Sequence, residues 1–320
     1  MSKKPILIVA GEPYSIFSEI FFKSLKKTKL QRPIVLIASK KIISQQMKKL
    51  GYEYHFKEID KNLSKKITNK RKVVNIIDIQ FNYKKAFDKI TDKSNRYIEN
   101  CFLIANNLLI NKKAYALING PVSKKNFLKD KYLGITEYLA KMNKIKNFAM
   151  LIYNRNFSVS PVTTHIPIKK VSTQISKEKI INQVYLIKKF YHSKINKNIR
   201  IGITGLNPHC ESNYYDSEEK RIITPAIKYL KNKNYKVIGP LPADSLFMSE
   251  NLNKFDVVIG MYHDQVLTPI KTIHNFDAIN ITLGLPYLRI SPDHGTNNQM
   301  LGKNKSNPTS LISAIKFLNN

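Results

Sequence analysis

Three histidines are placed where they could do metal chemistry. His165 closes Ser158-Val-Ser-Pro-Val-Thr-Thr-His165. His209 follows Arg200-Ile-Gly-Ile-Thr-Gly-Leu-Asn-Pro, and His263 follows Asp256-Val-Val-Ile-Gly-Met-Tyr and precedes Asp264-Gln265. Each comes after a run with the look of a buried strand and before a loop or helix. Three imidazoles at three strand ends could converge on one divalent ion and leave positions open for a substrate. The spacings are long, so no local motif specifies the cluster; three unrelated histidines at strand ends are the plain alternative. Cys210, beside His209, is either a ligand or a small filler. His55, His192 and His274 read as surface residues. His294 lies in Ser291-Pro-Asp-His-Gly-Thr296, where glycine lets backbone come close to a ligand.

A second group follows His263. Lys271, Asn280 and Arg289 stand 8, 17 and 26 residues beyond it. All three side chains bind phosphate or carboxylate oxygens well. Lys271 is one lysine among many, whereas arginine is rare here, which makes Arg289 the more informative of the two.

Elements that could position such residues alternate along the chain. Strand-like runs are expected at 6–10, 34–38, 73–77, 115–118, 148–153, 158–164, 200–204, 235–238, 256–261 and 278–282. Helices are expected at 17–27, 44–50, 94–110, 176–192, 217–232 and 310–319. The alternation predicts an α/β protein with a largely parallel sheet. Ser176-Lys-Glu-Lys and Ser217-Glu-Glu-Lys offer capping hydroxyls with acids in the first turn, where the helix dipole favours them. The 11 glycines form neither G-x-G-x-x-G nor G-x-x-x-x-G-K-[ST], which counts against an ordinary Rossmann turn and against a P-loop. There is no internal repeat and no Pro/Gly/Ser linker, so a domain junction would be a tight crossing.

At 320 residues the chain is long enough for two domains or one large α/β unit, and 42% hydrophobic residues supply a sizeable core. Two cysteines exclude a disulfide scaffold or a Cys-rich zinc module. No apolar run approaches the ~18 residues of a spanning helix, and Ile6–Ala10 is short for a signal-peptide core. A soluble, cytoplasmic protein without membrane partners is expected. The net charge of +32 suggests nucleic acid, but only seven of the 54 basic residues are Arg, and the lysines are spread along the whole chain. That pattern fits compositional bias better than a nucleic-acid face. The densest stretch, 61–72, is a phosphate-binding arm or a solvated surface segment. A general positive field would still recruit anionic small molecules.

Taken together, several strings resemble the 4-hydroxythreonine-4-phosphate dehydrogenase (PdxA) family of vitamin B6 synthesis. They are Gly205-Leu-Asn-Pro-His209, Gly239-Pro-Leu-Pro-Ala-Asp-Ser-Leu-Phe247, Met261-Tyr-His-Asp-Gln265 and Asn280-Ile-Thr-Leu-Gly-Leu-Pro286, with Asp293-His-Gly-Thr296, Thr163-Thr-His-Ile-Pro167, Gly11-Glu-Pro13, Gly120-Pro-Val122 with Lys124, and Thr136-Glu137. The resemblance runs from residue 11 to about 317. It implies two α/β/α domains flanking a cleft, as in isocitrate and isopropylmalate dehydrogenases, drawn here as 1–134 plus 270–320 and as 135–269. It also implies a homodimer with sites at the interface. NAD, or NADP, would lie in the loops of Asp293, His294, Gly295, Thr296 and Asn307. His165, His209 and His263 would bind one divalent ion, with zinc, cobalt, manganese and magnesium all possible. Thr136, Lys271, Asn280 and Arg289 would contact the phosphorylated substrate.

The activity implied is oxidation of 4-phosphohydroxy-L-threonine and loss of carbon dioxide, giving 3-amino-2-oxopropyl phosphate on the way to pyridoxal 5'-phosphate. Imidazole ligands leave a metal Lewis-acidic enough to lower the pKa of the substrate hydroxyl. Asp244, Asp264 and Lys124 are candidates for proton transfer, and either aspartate could instead orient a ligand imidazole. Lys271 and Arg289 would hold the phosphate, so that remote binding energy orients the reacting carbon.

The chain departs from the family pattern at three places. Ile135 precedes Thr136 where the family has His. The N-terminal loop, Gly11-Glu-Pro-Tyr-Ser-Ile-Phe-Ser-Glu19, has lost two glycines. The loop after His209, Cys210-Glu-Ser-Asn-Tyr-Tyr215, carries none. Drift with the function kept is one account; a changed substrate, such as 4-phosphothreonate or 4-phosphoerythronate, is the other. Two further readings are a non-catalytic basic binder on the same scaffold and a phosphoacyltransferase, neither of which needs three histidines.

Overall fold

The computed structural model describes residues 3–129, 131–210, 214–274 and 278–319. Twelve strands occur among them: β1 (Ile6–Val9), β2 (Ile34–Ala38), β3 (His55–Glu58), β4 (Val73–Asp78), β5 (Ala116–Asn119), β6 (Ala149–Tyr153), β7 (Ser158–Thr163), β8 (Ile201–Thr204), β9 (Val237–Leu241), β10 (Val257–Tyr262), β11 (Ile279–Leu283) and β12 (Leu288–Ser291). The α-helices are α1 (Phe17–Lys27), α2 (Lys40–Lys49), α3 (Asn95–Ile110), α4 (Ile135–Met142), α5 (Val171–Gln174), α6 (Lys177–Phe190), α7 (Thr224–Asn232), α8 (Ala243–Leu246), α9 (Ser249–Leu252), α10 (His263–His274) and α11 (Thr309–Asn319).

The chain divides into two compact units, Met1–Tyr138 with Pro286–Asn320, and Leu139–Leu285. In the first unit the strands run β3-β4-β2-β1-β5-β12, all parallel. β1 reads Ile-Leu-Ile-Val and β2 Ile-Val-Leu-Ile-Ala, and every residue of both is buried. Continuous apolar runs of this kind belong to parallel strands covered on both faces. α3 packs on β1, β2 and β5, while α1 packs on α2 and α11.

In the second unit the order is β11-β6-β7-β10-β8-β9. The run from β7 to β9 is parallel, but β6 pairs antiparallel with both β7 and β11. A short turn joins β6 to β7; Asn154 Oδ1 accepts from the Asn156 N–H at 3.0 Å, and a turn so tight can only return the chain antiparallel. α10 lies on β7 and β10 and buries Val266, Leu267 and Ile270 against Met150, Phe157, Val159 and Val258. Ser176 caps α6, its Oγ accepting from the Lys179 N–H.

Several elements differ from the sequence expectation. The segment 270–285, drawn with the first domain, groups with the second unit because β11 is the antiparallel neighbour of β6. β3 (His-Phe-Lys-Glu) lacks an apolar signal because it is an edge strand, and β12 (Leu-Arg-Ile-Ser) conceals a buried arginine. α4 and α10 were not anticipated; α10 carries Pro269 inside it, which a propensity reading takes as a stop. The basic stretch 61–72 forms no helix, and its turn is held by Asp60, whose carboxylate accepts from the N–H groups of Asn62, Ser64 and Lys65. Among the described residues no helix is long and apolar enough to cross a membrane.

Candidate active site

Within the second unit the strand ends bring two of the three histidines together. His165 lies two residues past β7, and His263 is the first residue of α10, directly after β10. β7 and β10 are parallel neighbours in register from Ser158↔Val257 to Thr163↔Tyr262. The Thr163 hydroxyl donates to the Met261 carbonyl at 2.8 Å and fixes the two ends side by side. The imidazole centroids of His165 and His263 are then 5.4 Å apart. Two imidazoles on one zinc-sized ion, with nitrogens ~2.1 Å from it at a tetrahedral angle, hold their ring centres about 5 Å apart. The centroid spacing of the pair matches that of two imidazoles on one divalent ion.

Asp264 sets the orientation of His263. Its Oδ1 lies 2.6 Å from His263 Nδ1. An ionised carboxylate only accepts, so Nδ1 carries the proton and Nε2 keeps the lone pair that a metal needs. His209 has a carboxylate neighbour too, with Nδ1 3.7 Å from Asp244 Oδ2, an ion-pair distance beyond hydrogen-bond range. Each aspartate suggested as a base thus stands beside one histidine. His165 and His209 both have positive φ, +41° and +58°. Non-glycine residues rarely adopt this conformation and tend to do so at functional sites.

Two residues that the sequence reading did not single out hold the His209 loop. Glu219 is buried; its Oε1 accepts from the N–H groups of Leu206 at 2.7 Å and Asn207 at 2.8 Å, and its Oε2 from the Asn207 side chain at 2.8 Å. Burial pushes the Glu219 carboxyl up, but these hydrogen bonds outweigh it and hold the pKa below the usual range. Gln265 bridges the strand ends: its Oε1 accepts from the Thr204 hydroxyl and the Met261 N–H, and its Nε2 donates to the Gly205 carbonyl. Glu219 was visible only as a helix-start acid, and Gln265 only as the end of Met261-Tyr-His-Asp-Gln265. Among the described residues no three His, Cys, Asp or Glu side chains gather around a common point. Residues 211–213, part of the glycine-free loop, lie outside the described residues, as does the side chain of His274.

Of the expected substrate contacts in this unit, Asn280 sits on β11 half-buried, its Nδ2 3.3 Å from Met150 Sδ and its Oδ1 buried without a protein partner. Such an orphaned acceptor is costly unless a ligand or water meets it. Lys271 is exposed on α10.

The first unit holds the others. Arg289, on β12, is fully buried. Its Nε donates to Asn119 Oδ1 at 2.7 Å and its Nη1 to Thr136 Oγ1 at 3.1 Å, so two of the expected substrate residues, Arg289 and Thr136, meet directly. Desolvation draws the guanidinium pKa down to about 10 against the opposing influence of Tyr287 and Glu137, which leaves it charged at neutral pH. Lys124 is exposed beyond the Gly120-Pro-Val turn. That turn touches the N-terminal loop: the Glu12 N–H donates to the Pro121 carbonyl, and a Cβ on Gly120 would lie 2.2 Å from the Ala10 carbonyl oxygen. Within that loop Tyr14 and Phe17 pack inward, Tyr14 edge-on to Phe81 and Phe17 stacked on Phe21. Glu12 is buried beneath it; burial pushes its carboxyl up, opposed by hydrogen bonds from the Ser94 hydroxyl and the Tyr14 N–H.

The expected dinucleotide loops are tied to each other. His294 Nε2 lies 2.7 Å from the Asn307 carbonyl, and since a carbonyl only accepts, Nε2 carries the proton. The Asp293 N–H donates to Ser310 Oγ, and Asn307 Oδ1 accepts from the N–H and hydroxyl of Thr309 at the start of α11. The Thr296 carbonyl accepts from the Ile16 N–H, and Gly295 faces open space. Lys23 and Glu19 of α1 secure the same region: Lys23 Nζ donates to the carbonyls of Asn304 and Ser306, and Glu19 accepts from the Ser306 N–H.

Residues 29–318 match the model of a family described as pyridoxal phosphate biosynthetic protein PdxA. The chain belongs to the PdxA family. Members of this family are NAD(P)-dependent dehydrogenases acting on phosphorylated substrates. A 4-hydroxythreonine-4-phosphate dehydrogenase of Sulfurihydrogenibium sp. (strain YO3AOP1) is 37% identical over 317 residues, covering 98% of this chain and 96% of that one. A putative D-threonate 4-phosphate dehydrogenase of Oceanobacillus iheyensis is 32% identical over 323 residues, covering 98% and 97%. Among solved structures, a putative 4-hydroxythreonine-4-phosphate dehydrogenase from Salmonella typhimurium aligns with a TM-score of 0.87 at 28% identity over 99% of both chains. A beta-decarboxylating dehydrogenase of Thermococcus kodakarensis aligns with a TM-score of 0.50 at 10% identity, over 98% of this chain and 83% of that one, a likeness of fold alone. The expected fold class, α/β of the isocitrate and isopropylmalate dehydrogenase kind, is the one observed. The PdxA family members among these relatives carry two different substrate names, so membership leaves the substrate as a separate question.

Proposed function

We propose that this PdxA-family dehydrogenase oxidises 4-phosphohydroxy-L-threonine with NAD and a divalent ion, releasing carbon dioxide and 3-amino-2-oxopropyl phosphate for pyridoxal 5'-phosphate synthesis. The observation that carries this reading is the His165–His263 pair, 5.4 Å apart, with Asp264 on Nδ1 of His263. When bound, the ion supplies Lewis acidity at the substrate hydroxyl and NAD supplies the hydride acceptor. The protein's part is to bind and orient. His165 and His263 would hold the ion without neutralising its charge, and His209, on its own loop, is the proposed third ligand. Asp264 fixes the ring of His263, and Asp244 stands in the same relation to His209. Either carboxylate can take the hydroxyl proton, and Lys124 is a further candidate. Arg289 and Thr136 form a paired anchor for the phosphate end, with Lys271 and Asn280 as additional contacts. The loops of Asp293–Thr296 and Asn307 are the proposed dinucleotide seat, and a homodimer completes the site as the resemblance implies.

A second substrate, a phosphorylated threonate, is favoured by one observation. Ile135 opens α4 directly before Thr136, where a side chain unable to hydrogen-bond stands beside the phosphate anchor. The test is NADH formation by purified, metal-loaded protein with 4-phosphohydroxy-L-threonine, with His209→Ala as control. Turnover that disappears in the variant supports the reading. No turnover with that substrate, but turnover with 4-phospho-D-threonate, replaces it with the second.

A further inference from the structure

Among the described residues Arg289 is the largest side chain that is completely buried. A buried arginine whose plane is free to rotate is a poor fork for an oxyanion, because bidentate recognition depends on a fixed guanidinium plane. Here the plane is set by strand register. β12 and β5 are parallel neighbours with Arg289 opposite Leu117. Asn119 is two residues farther along β5, on the same face as Leu117, since side chains alternate with a period of two. Arg289 extends along that face and its Nε–H meets Asn119 Oδ1 at 2.7 Å. Asn119 is itself buried, and its Nδ2 donates to the Gly120 carbonyl at 3.0 Å, which fixes which end of the amide faces the arginine.

We infer that Asn119 is the positioning residue for Arg289: by engaging Nε it turns the Nη edge of the guanidinium toward Thr136 and toward the phosphate end of the substrate. Thr136 Oγ1, 3.1 Å from Nη1, marks the direction that this edge faces. Asn119 suits the role better than an acidic residue would. A carboxylate here would pair with the guanidinium and cancel the charge that attracts a phosphate, whereas a neutral amide oxygen orients and leaves the charge in place. The inference rests on the proposed role of Arg289 in phosphate binding.

The test is a double-mutant cycle with a readout that needs no turnover. Asn119→Ser shortens the side chain, leaves room for a water to satisfy Nε, and is the variant expected to fold; circular dichroism and the melting temperature without ligand establish that it does. Inorganic phosphate at millimolar concentration should raise the melting temperature of the wild type. Asn119→Ser should weaken the phosphate affinity read from that shift about tenfold. In steady-state assays with 4-phosphohydroxy-L-threonine it should raise KM by a similar factor and leave kcat within about twofold. In an Arg289→Lys background the same substitution should have almost no further effect, because a residue acting through Arg289 has nothing left to position. Equal losses in both backgrounds, or unchanged phosphate affinity in folded Asn119→Ser, overturn the inference and leave the phosphate role of Arg289 standing. A wild type that shows no phosphate shift overturns that role itself, and the inference with it. If Asn119→Ser does not fold, the cycle is run with Asn119→Thr, and the same outcomes decide.

Discussion

The Glu219 carboxylate is predicted to hold the His209 loop, and the substitution that tests this is Glu219→Gln. The carboxylate accepts three hydrogen bonds from the loop, two from backbone N–H groups at 2.7 and 2.8 Å and one from the Asn207 amide at 2.8 Å. Hydrogen bonds to a charged acceptor contribute about 1.5–3 kcal/mol each when removed one at a time, and less than their sum when removed together. Glutamine keeps the shape and one acceptor oxygen. It loses the charge and sets an amide donor against the Asn207 donor. A cost of about 2 kcal/mol at neutral pH follows, a fall in melting temperature of about 3 °C when all 320 residues unfold together. The pH dependence has a definite sign. The folded carboxyl pKa lies below its unfolded value, so its stabilisation is complete above the ordinary glutamate value of about 4.3 and is lost as pH falls through the folded pKa. The gap between wild type and Glu219→Gln should be constant from pH 6 to 8 and close in acid. Melting curves by circular dichroism between pH 3.5 and 8 measure it. No gap at pH 7, or a gap that persists unchanged into acid, refutes the reasoning. The variant should also bind divalent metal more weakly, since the loop carries His209.

Two other expectations concern positions where the structure leaves little latitude. Gly120→Ala would place a Cβ 2.2 Å from the Ala10 carbonyl oxygen and 2.6 Å from the Phe17 ring; because one obstacle is backbone, the cost should be about 3 kcal/mol in urea unfolding, and a loss under 1 kcal/mol would show that the two loops part easily. Ile135→His places a polar group beside Thr136 and should lower KM for 4-phosphohydroxy-L-threonine about tenfold, one charge-assisted contact's worth, with steady-state kinetics as the check.

Much of this molecule was legible in its sequence, for identifiable reasons. The buried strands of the first unit announce themselves as unbroken apolar runs, because a parallel sheet covered on both faces needs no polar alternation. α1 was read with its full extent because its apolar positions recur with helical period. β3 and β12 escaped for opposite reasons: the first is an edge with solvated side chains, and the second buries a charge where hydrophobic patterning expects none. α10 escaped because Pro269 is tolerated inside it. The candidate ligands were found from their place at strand ends, and the contact of His165 with His263 follows from a register that only the folded sheet supplies. Asn119, Glu219 and Gln265 were invisible as functional residues. Each acts through a partner distant in sequence, and nothing in a linear pattern records that pairing.

The first unit takes residues from both sides of the second, and this has a consequence for how the protein is made. Residues 139–285 form a contiguous unit that is complete before 286–320 leaves the ribosome. The first unit is not. Until 286–320 emerges, β5 lacks its neighbour β12, and α1 lacks the cover of α11. The same segment closes on the start of β2: Arg32 Nε donates to the Leu318 carbonyl, and Asn319 Oδ1 accepts from the Gln31 and Arg32 N–H groups. The part of the first unit that is translated before residue 139 is therefore finished only after the second unit, and during synthesis it presents an open strand edge that must be shielded until 286–320 arrives.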